Sequence, residues 1–359
     1  MEIIYSIIFS FLFVPLVLYT LILQFSIPKV TNQSQCITSV SVILVCNNEE
    51  ETIKRKILNI VEECEHLTSQ YEVIVISDGS IDGTNSLLRR LSKEFNINCF
   101  YFPQRKGKVF ALNHGISKSA YPIIIFSDSR QKIIDKSFCN LTKHFVDPNV
   151  GAVSSILINA GQKSVIRAII NKMKILESKQ GSTIGVYGGL YDIRRDCVSI
   201  LDEKTILDDL LISLLVLNKG KRVIVEPSAI IYDVSFAQYY PSIRIKRIIN
   251  GLFQIARNNW VIIKKLSVKN ILFLYVQKYS KLSIPILFLI MTLIAFTSKY
   301  IFYLHLLIFV LLAMIFALLS MKELIYIVKF LGIYVISIFS KNKKDIHLWE
   351  KSIRLPTKS

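Results

Sequence analysis

Four places in the sequence bring chemically capable side chains to the edge of an apolar run. SVSVILVC (Ser39–Cys46) stops at Asn47-Asn48-Glu49, YEVIVIS (Tyr71–Ser77) at Asp78, and PIIIFS (Pro122–Ser127) at Asp128, with Arg130 close behind. Asp208 and Asp209 open the apolar stretch LLISLLVL, and Lys106 and Lys108 flank Gly107. Carboxylates in such positions accept hydrogen bonds, hold hard cations or take a proton. Each also has a plainer role. DGSIDGT around Asp78 and Asp82 suits Asx-type turns. Lys108 precedes a helix, Asp128 can cap one with Arg130 at the surface, and Asp208-Asp209 suit a helix N-terminus on charge grounds alone.

The elements that must position these residues alternate. SVSVILVC, YEVIVIS, INCFYF (Ile97–Phe102) and PIIIFS read as strands. Between them, Ile53, Ile57, Ile60 and Val61 recur at helical spacing, and helices are expected around Leu87 to Phe95 and over VFALNHGISKS. This interleaving predicts an α/β domain with a mostly parallel sheet covered on both faces. Ligands of such sheets sit at the carboxyl ends of the strands. One polar strand end is ordinary, but three in one sheet imply a shared cleft. No GxGxxG follows the first strand and no GxxxxGK[ST] occurs, so dinucleotide and P-loop sites lack their phosphate-cradling glycines.

The segments VSVILVCNNEE, VIVISDGSIDGT, RKGKVFALNHG and IIFSDS resemble the successive donor-site motifs of the membrane-bound family 2 glycosyltransferases. That group includes hyaluronan, chitin and cellulose synthases and bacterial exopolysaccharide enzymes. YGGLYDIRRD (Tyr187–Asp196), ILDDLLISLLVLNKGKRVIVEP (Ile206–Pro227) and RIKRI (Arg244–Ile248) follow in the family's order. The resemblance covers roughly residues 38 to 260 and implies a GT-A type, nucleotide-sugar-binding sheet domain with flanking transmembrane helices.

It further implies roles. The donor is a nucleotide-diphosphate sugar, UDP-linked by expectation. Asp78 accepts from the base, Asn48 and Glu49 line the nucleoside pocket, and Lys108 lies near the phosphates. The strand ending at Asp128 usually closes in Asp-x-Asp, whose last Asp holds a divalent metal. Here Arg130 stands in that position. Either Asp128 holds magnesium or manganese with phosphates and waters, which is the expectation, or Arg130 meets the diphosphate with its planar fork. Asp209 matches the family's general base, and Asp208 replaces the usual Glu beside it. Gly189, Arg244 and Arg247 fall in the acceptor segments, with Ile248 where the family has Trp. Lys106 is expected in solvent, and the histidines carry no role.

Bulk composition adds the setting. The chain has 359 residues, 52% hydrophobic, with net charge +18 and mean hydropathy +0.45. Ile3–Ile27 is an uncharged apolar run, and 282–340 is a second apolar block with room for spans near 282–298, 300–320 and 324–340. A spanning helix needs about 20 apolar residues. The expected organisation is an N-terminal anchor (1–28), a cytosolic glycosyltransferase domain (29–235), amphipathic interfacial helices (236–281), transmembrane or re-entrant segments (282–340) and a basic tail (341–359). Lys29 and the lysines that follow place the central domain in the cytoplasm of a plasma-membrane protein. The run is too long for the apolar part of a signal peptide and has no basic flank before it. Basic residues are dispersed among Ile and Leu, which suits a membrane surface and excludes a nucleic-acid partner. Six scattered cysteines form no CxxC pair and read as reduced thiols. The expected partners are a nucleotide sugar, a polysaccharide or lipid-linked acceptor, membrane lipids and an accessory membrane subunit. The expected activity is inverting extension of a surface polysaccharide. Transfer of one sugar to a lipid carrier, and an inactive nucleotide-sugar-binding scaffold, are the alternatives.

Overall fold

A computed structural model of the chain describes residues 2–25, 39–67, 70–159, 164–233, 241–298 and 300–308. The chain divides into two compact units. One comprises 29–163, 167–239 and 342–359; the other comprises 1–28, 164–166 and 240–341.

The first unit is built on an eight-stranded sheet. Its strands are β1 (Val40–Cys46), β2 (Tyr71–Asp78), β3 (Ile97–Phe102), β4 (Ile123–Asp128), β5 (Lys132–Ile133), β6 (Val150–Asn159), β7 (Leu190–Arg194) and β8 (Arg222–Asp233), in the order β3-β2-β1-β4-β7-β6-β8-β5. The first four pair in parallel. β1 is buried at every position, as a central parallel strand covered on both faces must be. The sheet is mostly parallel, as expected, since β6 and β8 also pair in parallel, but its second half contains antiparallel pairings. β7 runs antiparallel to both β4 and β6, and β5 antiparallel to β8. The sheet is therefore mixed. The reversal brings the start of β7 against the carboxyl end of β4, since Ser127 faces Leu190 and the Asp128 N–H donates to the Gly189 carbonyl at 3.0 Å.

In chain order the helices are α1 (Glu2–Phe25), α2 (Glu50–Glu65), α3 (Thr84–Glu94), α4 (Lys108–Lys118), α5 (Ser137–Thr142), α6 (Val165–Lys179), α7 (Asp208–Asn218), α8 (Pro241–Asn258) and α9 (Val268–Ala295). The apolar stripe Ile53, Ile57, Ile60 and Cys64 seats α2 in the core. Gly115 lets α4 approach the other face, because a Cβ there would lie 2.7 Å from Ile43 Cγ2.

In the second unit, α1 and α9 are long and apolar enough to cross a membrane. Tyr5, Leu12, Met291, Ile294 and Ala295 form their shared core, with most other apolar side chains of α1 exposed. The second apolar helix begins at Val268, ahead of the expected boundary at 282, and passes through a π turn at Tyr275–Tyr279. On α8, Ile245, Ile249, Leu252 and Ile255 form one buried stripe while Arg247 is exposed, which is the expected amphipathic pattern. Residues 300–308 are helical. The side chain of Arg244, the segment 324–340 and the basic tail lie outside the described residues.

Candidate active site

The carboxyl ends of β1, β2 and β4 meet the N-termini of α2, α4 and α7. From β1 the chain turns through Asn48, which adopts φ 54°, a left-handed conformation that Asn tolerates. Its Oδ1 accepts from the Ile81 N–H at 2.8 Å and its own N–H donates to Ser80 Oγ at 3.1 Å. Asn47 Nδ2 donates to the Asp78 carbonyl at 2.6 Å. Together these contacts lock the β1 and β2 ends into one floor. Asp82 Oδ1 accepts from the Thr84 N–H and hydroxyl, the Asx turn that opens α3.

Asp78 takes a different place from the one the resemblance implies. It is fully buried, and its two oxygens accept the N–H groups of Lys106 and Gly107, each at 2.8 Å. Gly79, at φ 65°, lets the β2 end pass against the Arg105 backbone, where a Cβ would clash. The carboxylate thus fixes the loop that delivers Lys108. An oxygen with no exposure is not presented to a nucleotide base.

Lys108 stands at the centre of the site. Its Nζ lies 3.1 Å from Asp128 Oδ1 and 3.4 Å from Asp208 Oδ2, joining β4 to α7 through one ammonium. Asp128 keeps 30% side-chain exposure and Asp208 only 9%. Arg130 Nε lies 3.3 Å from Glu49 Oε1. Glu49 is 2% exposed and also accepts from the Thr52 hydroxyl at 2.6 Å, so it is a fixed anchor for the guanidinium. Lys106 is exposed as expected, with its ammonium over the Phe110 ring at 4.4 Å. His114 is wedged against Phe100 and Phe102, a packing role.

Asp209 is half-buried in the first turn of α7, with Oδ1 accepting from the Leu210 N–H at 2.8 Å. A Cβ on Gly188 would lie 3.2 Å from Asp209 Oδ2, so Gly188 leaves room beside that carboxylate. Gly189, the acceptor residue expected from the sequence, faces elsewhere: a Cβ there would strike Ile231 and Gln131. Its carbonyl supports Asp128 instead. Two residues on, Tyr191 is fully buried and stacks on Phe126. Burial, then the charges of Asp208, Asp209 and Asp128, push its phenol well above the usual range. The sequence carried no sign of this tyrosine, which reads as an ordinary strand aromatic.

For a metal, Asp128 supplies one carboxylate and Arg130 occupies the place of another. Among the described residues, no three His, Cys, Asp or Glu side chains converge as ligands. Magnesium-type ions are often held by one or two carboxylates, with substrate phosphates and water completing the shell. The donor set fits such an ion arriving on a diphosphate and held through Asp128.

Residues 41–199 match the family model described as Glycosyl transferase family 2. Among curated proteins, the chain is 29% identical over 164 residues to glycosyltransferase AglE of Haloferax volcanii, covering 44% of this chain and 53% of the relative. It is 24% identical over 205 residues to the poly-beta-1,6-N-acetyl-D-glucosamine synthase of Staphylococcus aureus, covering 53% of this chain and 48% of the relative. The match thus spans about half the length of each of these relatives. Among solved structures, the mannosyltransferase PcManGT of Pyrobaculum calidifontis, in complex with GDP-Man and manganese, superposes with a TM-score of 0.72 at 21% identity. That match covers 95% of this chain and 99% of that one, and it establishes the GT-A fold.

Proposed function

We propose that the chain is a membrane-anchored, inverting glycosyltransferase that uses a nucleotide-diphosphate sugar, UDP-linked, to extend a surface polysaccharide at the cytoplasmic face. The observation that carries this reading is the junction of Asp128, Lys108 and Asp208, with Asp209 adjoining on the same helix turn. It sets cations for a leaving diphosphate beside the half-buried carboxylate assigned as base.

In the reaction, Asp209 takes the proton of the acceptor hydroxyl as that oxygen attacks the anomeric carbon from the side opposite the diphosphate. Attack and departure in one displacement invert the carbon. Lys108, and Arg130 held by Glu49, face the negative charge that grows on the leaving group. Asp128 would hold a divalent ion, which supplies further charge neutralisation on the diphosphate when bound. Asp78 holds the loop carrying Lys108, and Gly188 leaves the acceptor room beside Asp209. Arg244 and Arg247 on α8 are assigned to the acceptor by resemblance.

Membranes containing the protein, incubated with a panel of radiolabelled UDP- and GDP-sugars, test the reading through product size. Long chains at early times support polymer extension. A product that stops at one added sugar in the lipid fraction rejects it for transfer to a lipid carrier. No transfer from any donor, with nucleotide still bound, leaves an inactive nucleotide-sugar-binding protein.

A further inference from the structure

Resting on this donor-site reading, one more residue enters the site. Tyr191 is 1% exposed, and its hydroxyl is buried with no hydrogen-bond partner among the described residues. Its ring is held from both directions, stacked on Phe126 across β4 with centroids 5.0 Å apart and set opposite Ser154 of β6. A buried hydroxyl without a partner lowers stability, and phenylalanine would fill the same stack without that cost. Tyr191 pairs with Phe126, two residues before Asp128, and Lys108 Nζ joins Asp128 to Asp208, so the ring lies beside that junction.

Asp208 is the carboxylate with most to lose when the site fills. Lys108 holds both Asp128 and Asp208, and to meet a diphosphate it must give up part of that arrangement. Asp128, 30% exposed, can turn to water. Asp208, 9% exposed, cannot, and a buried carboxylate deprived of its donor is strongly disfavoured. We infer that Tyr191 is a positioning residue whose hydroxyl donates to Asp208 when Lys108 swings to the nucleotide diphosphate. The lysine is released without stranding a buried charge. The step exchanges hydrogen bonds only, and no covalent bond changes.

UDP, with GDP in parallel, is titrated into the detergent-solubilised full-length protein, and thermal unfolding is followed on the same samples. Tyr191→Phe keeps the stack on Phe126. Its expected outcome is an affinity for the nucleotide about tenfold weaker, the scale of one hydrogen bond to a charged group, with an unfolding temperature equal to or above the parent's. In an Asp208→Asn background the same change should add almost nothing, because a neutral amide needs no replacement donor. Parent-like affinity in Tyr191→Phe overturns the inference and leaves the donor-site reading standing. So does a tenfold loss that persists beside Asp208→Asn, or a lowered unfolding temperature, either of which makes the hydroxyl a packing group. A parent protein that binds neither UDP nor GDP removes the donor-site reading, and this inference with it.

Discussion

At the residue scale, adjacent carboxylates on one helix turn face different tasks. Asp208 is buried against Lys108, whereas Asp209 is half-buried beside the space left by Gly188. Asp209→Asn should therefore abolish transfer while leaving UDP binding close to the parent's, since the lost group acts on the acceptor. General-base catalysis is worth about 10²–10⁴ in rate. A loss below about tenfold in a radiolabel transfer assay would return Asp209 to the role of a helix-terminus charge. Arg130 makes the opposite prediction, because Glu49 fixes it at 3.3 Å and its partner is nearly fully buried. Arg130→Ala should weaken UDP binding, with added manganese recovering part of the loss. Arg130→Asp sets a second carboxylate near Asp128 but also beside Glu49, so its UDP binding should depend more steeply on metal. Calorimetry at graded manganese concentrations reads both variants; parent-like curves for the two would place Arg130 outside the donor site.

At the element scale, α2 does more than cover the sheet. Its buried Lys56 and Glu63, with the half-buried Asn59, clasp the segment following Asp128 and Arg130. Lys56 Nζ donates to the Gln131 carbonyl at 2.8 Å, Asn59 exchanges hydrogen bonds with both backbone groups of Ile133, and Glu63 accepts from the Phe138 N–H at 2.9 Å. Burial pushes Lys56 down to about 7 from 10.5, against the pull of Asp128 and Glu63, and pushes Glu63 up to about 7 from 4.5. Between pH 4.5 and 7 the folded protein keeps a Glu63 proton that the unfolded chain has lost, so stability falls as pH rises. Between 7 and 10.5 the unfolded chain keeps a Lys56 proton that the folded protein has lost, so stability climbs with pH. These groups together set a minimum near neutrality. Thermal unfolding across that range should show Glu63→Gln flattening the acid limb and Lys56→Met the alkaline limb; variants that track the parent throughout would remove both groups from the account. This clasp explains what the sequence could and could not disclose. Apolar strand ends at Cys46, Ser77 and Ser127 were legible because buried parallel strands are continuous apolar runs, and the site lies where such runs stop. The buried polar residues of α2 look like surface residues until the chain after β4 folds over them. Asp192 is hidden in the same way. Its period in LYDIR suggests an exposed face, yet β4 and β6 flank it, its carboxyl is fully buried without a partner among the described residues, and burial holds it well above the usual range. The antiparallel return of β7 is a long-range pairing, and no local pattern announces it.

At the scale of the whole molecule, anchoring ties together the features that composition first indicated. α1 and α9 present apolar side chains outward, and a polar cluster links them to the helix 300–308. Tyr5 Oη lies 3.2 Å from His305 Nδ1, and Thr292 Oγ1 lies 3.0 Å from His305 Nε2. Polar groups that pair across helices fix their register in an apolar surrounding, where an unpaired one would be costly. The proposed topology places 29–235 and the basic tail in the cytoplasm, by the excess of lysine and arginine on that side. The native thiols test this without engineering, because all six cysteines fall between Cys36 and Cys197. Cys99 and Cys139 are partly exposed and in no disulfide among the described residues, so a reagent that enters the cytosol can reach them. A membrane-impermeant maleimide should leave the protein unlabelled in intact cells and label it once the cells are permeabilised. Ser359→Cys, combined with replacement of the native cysteines, should behave alike if the tail is cytoplasmic. Labelling of the parent in intact cells would put the sugar-transfer domain on the wrong side of the membrane for a cytosolic nucleotide sugar. Labelling of Ser359→Cys alone would instead require an odd number of crossings after the domain, without disturbing the site at the ends of β1, β2 and β4.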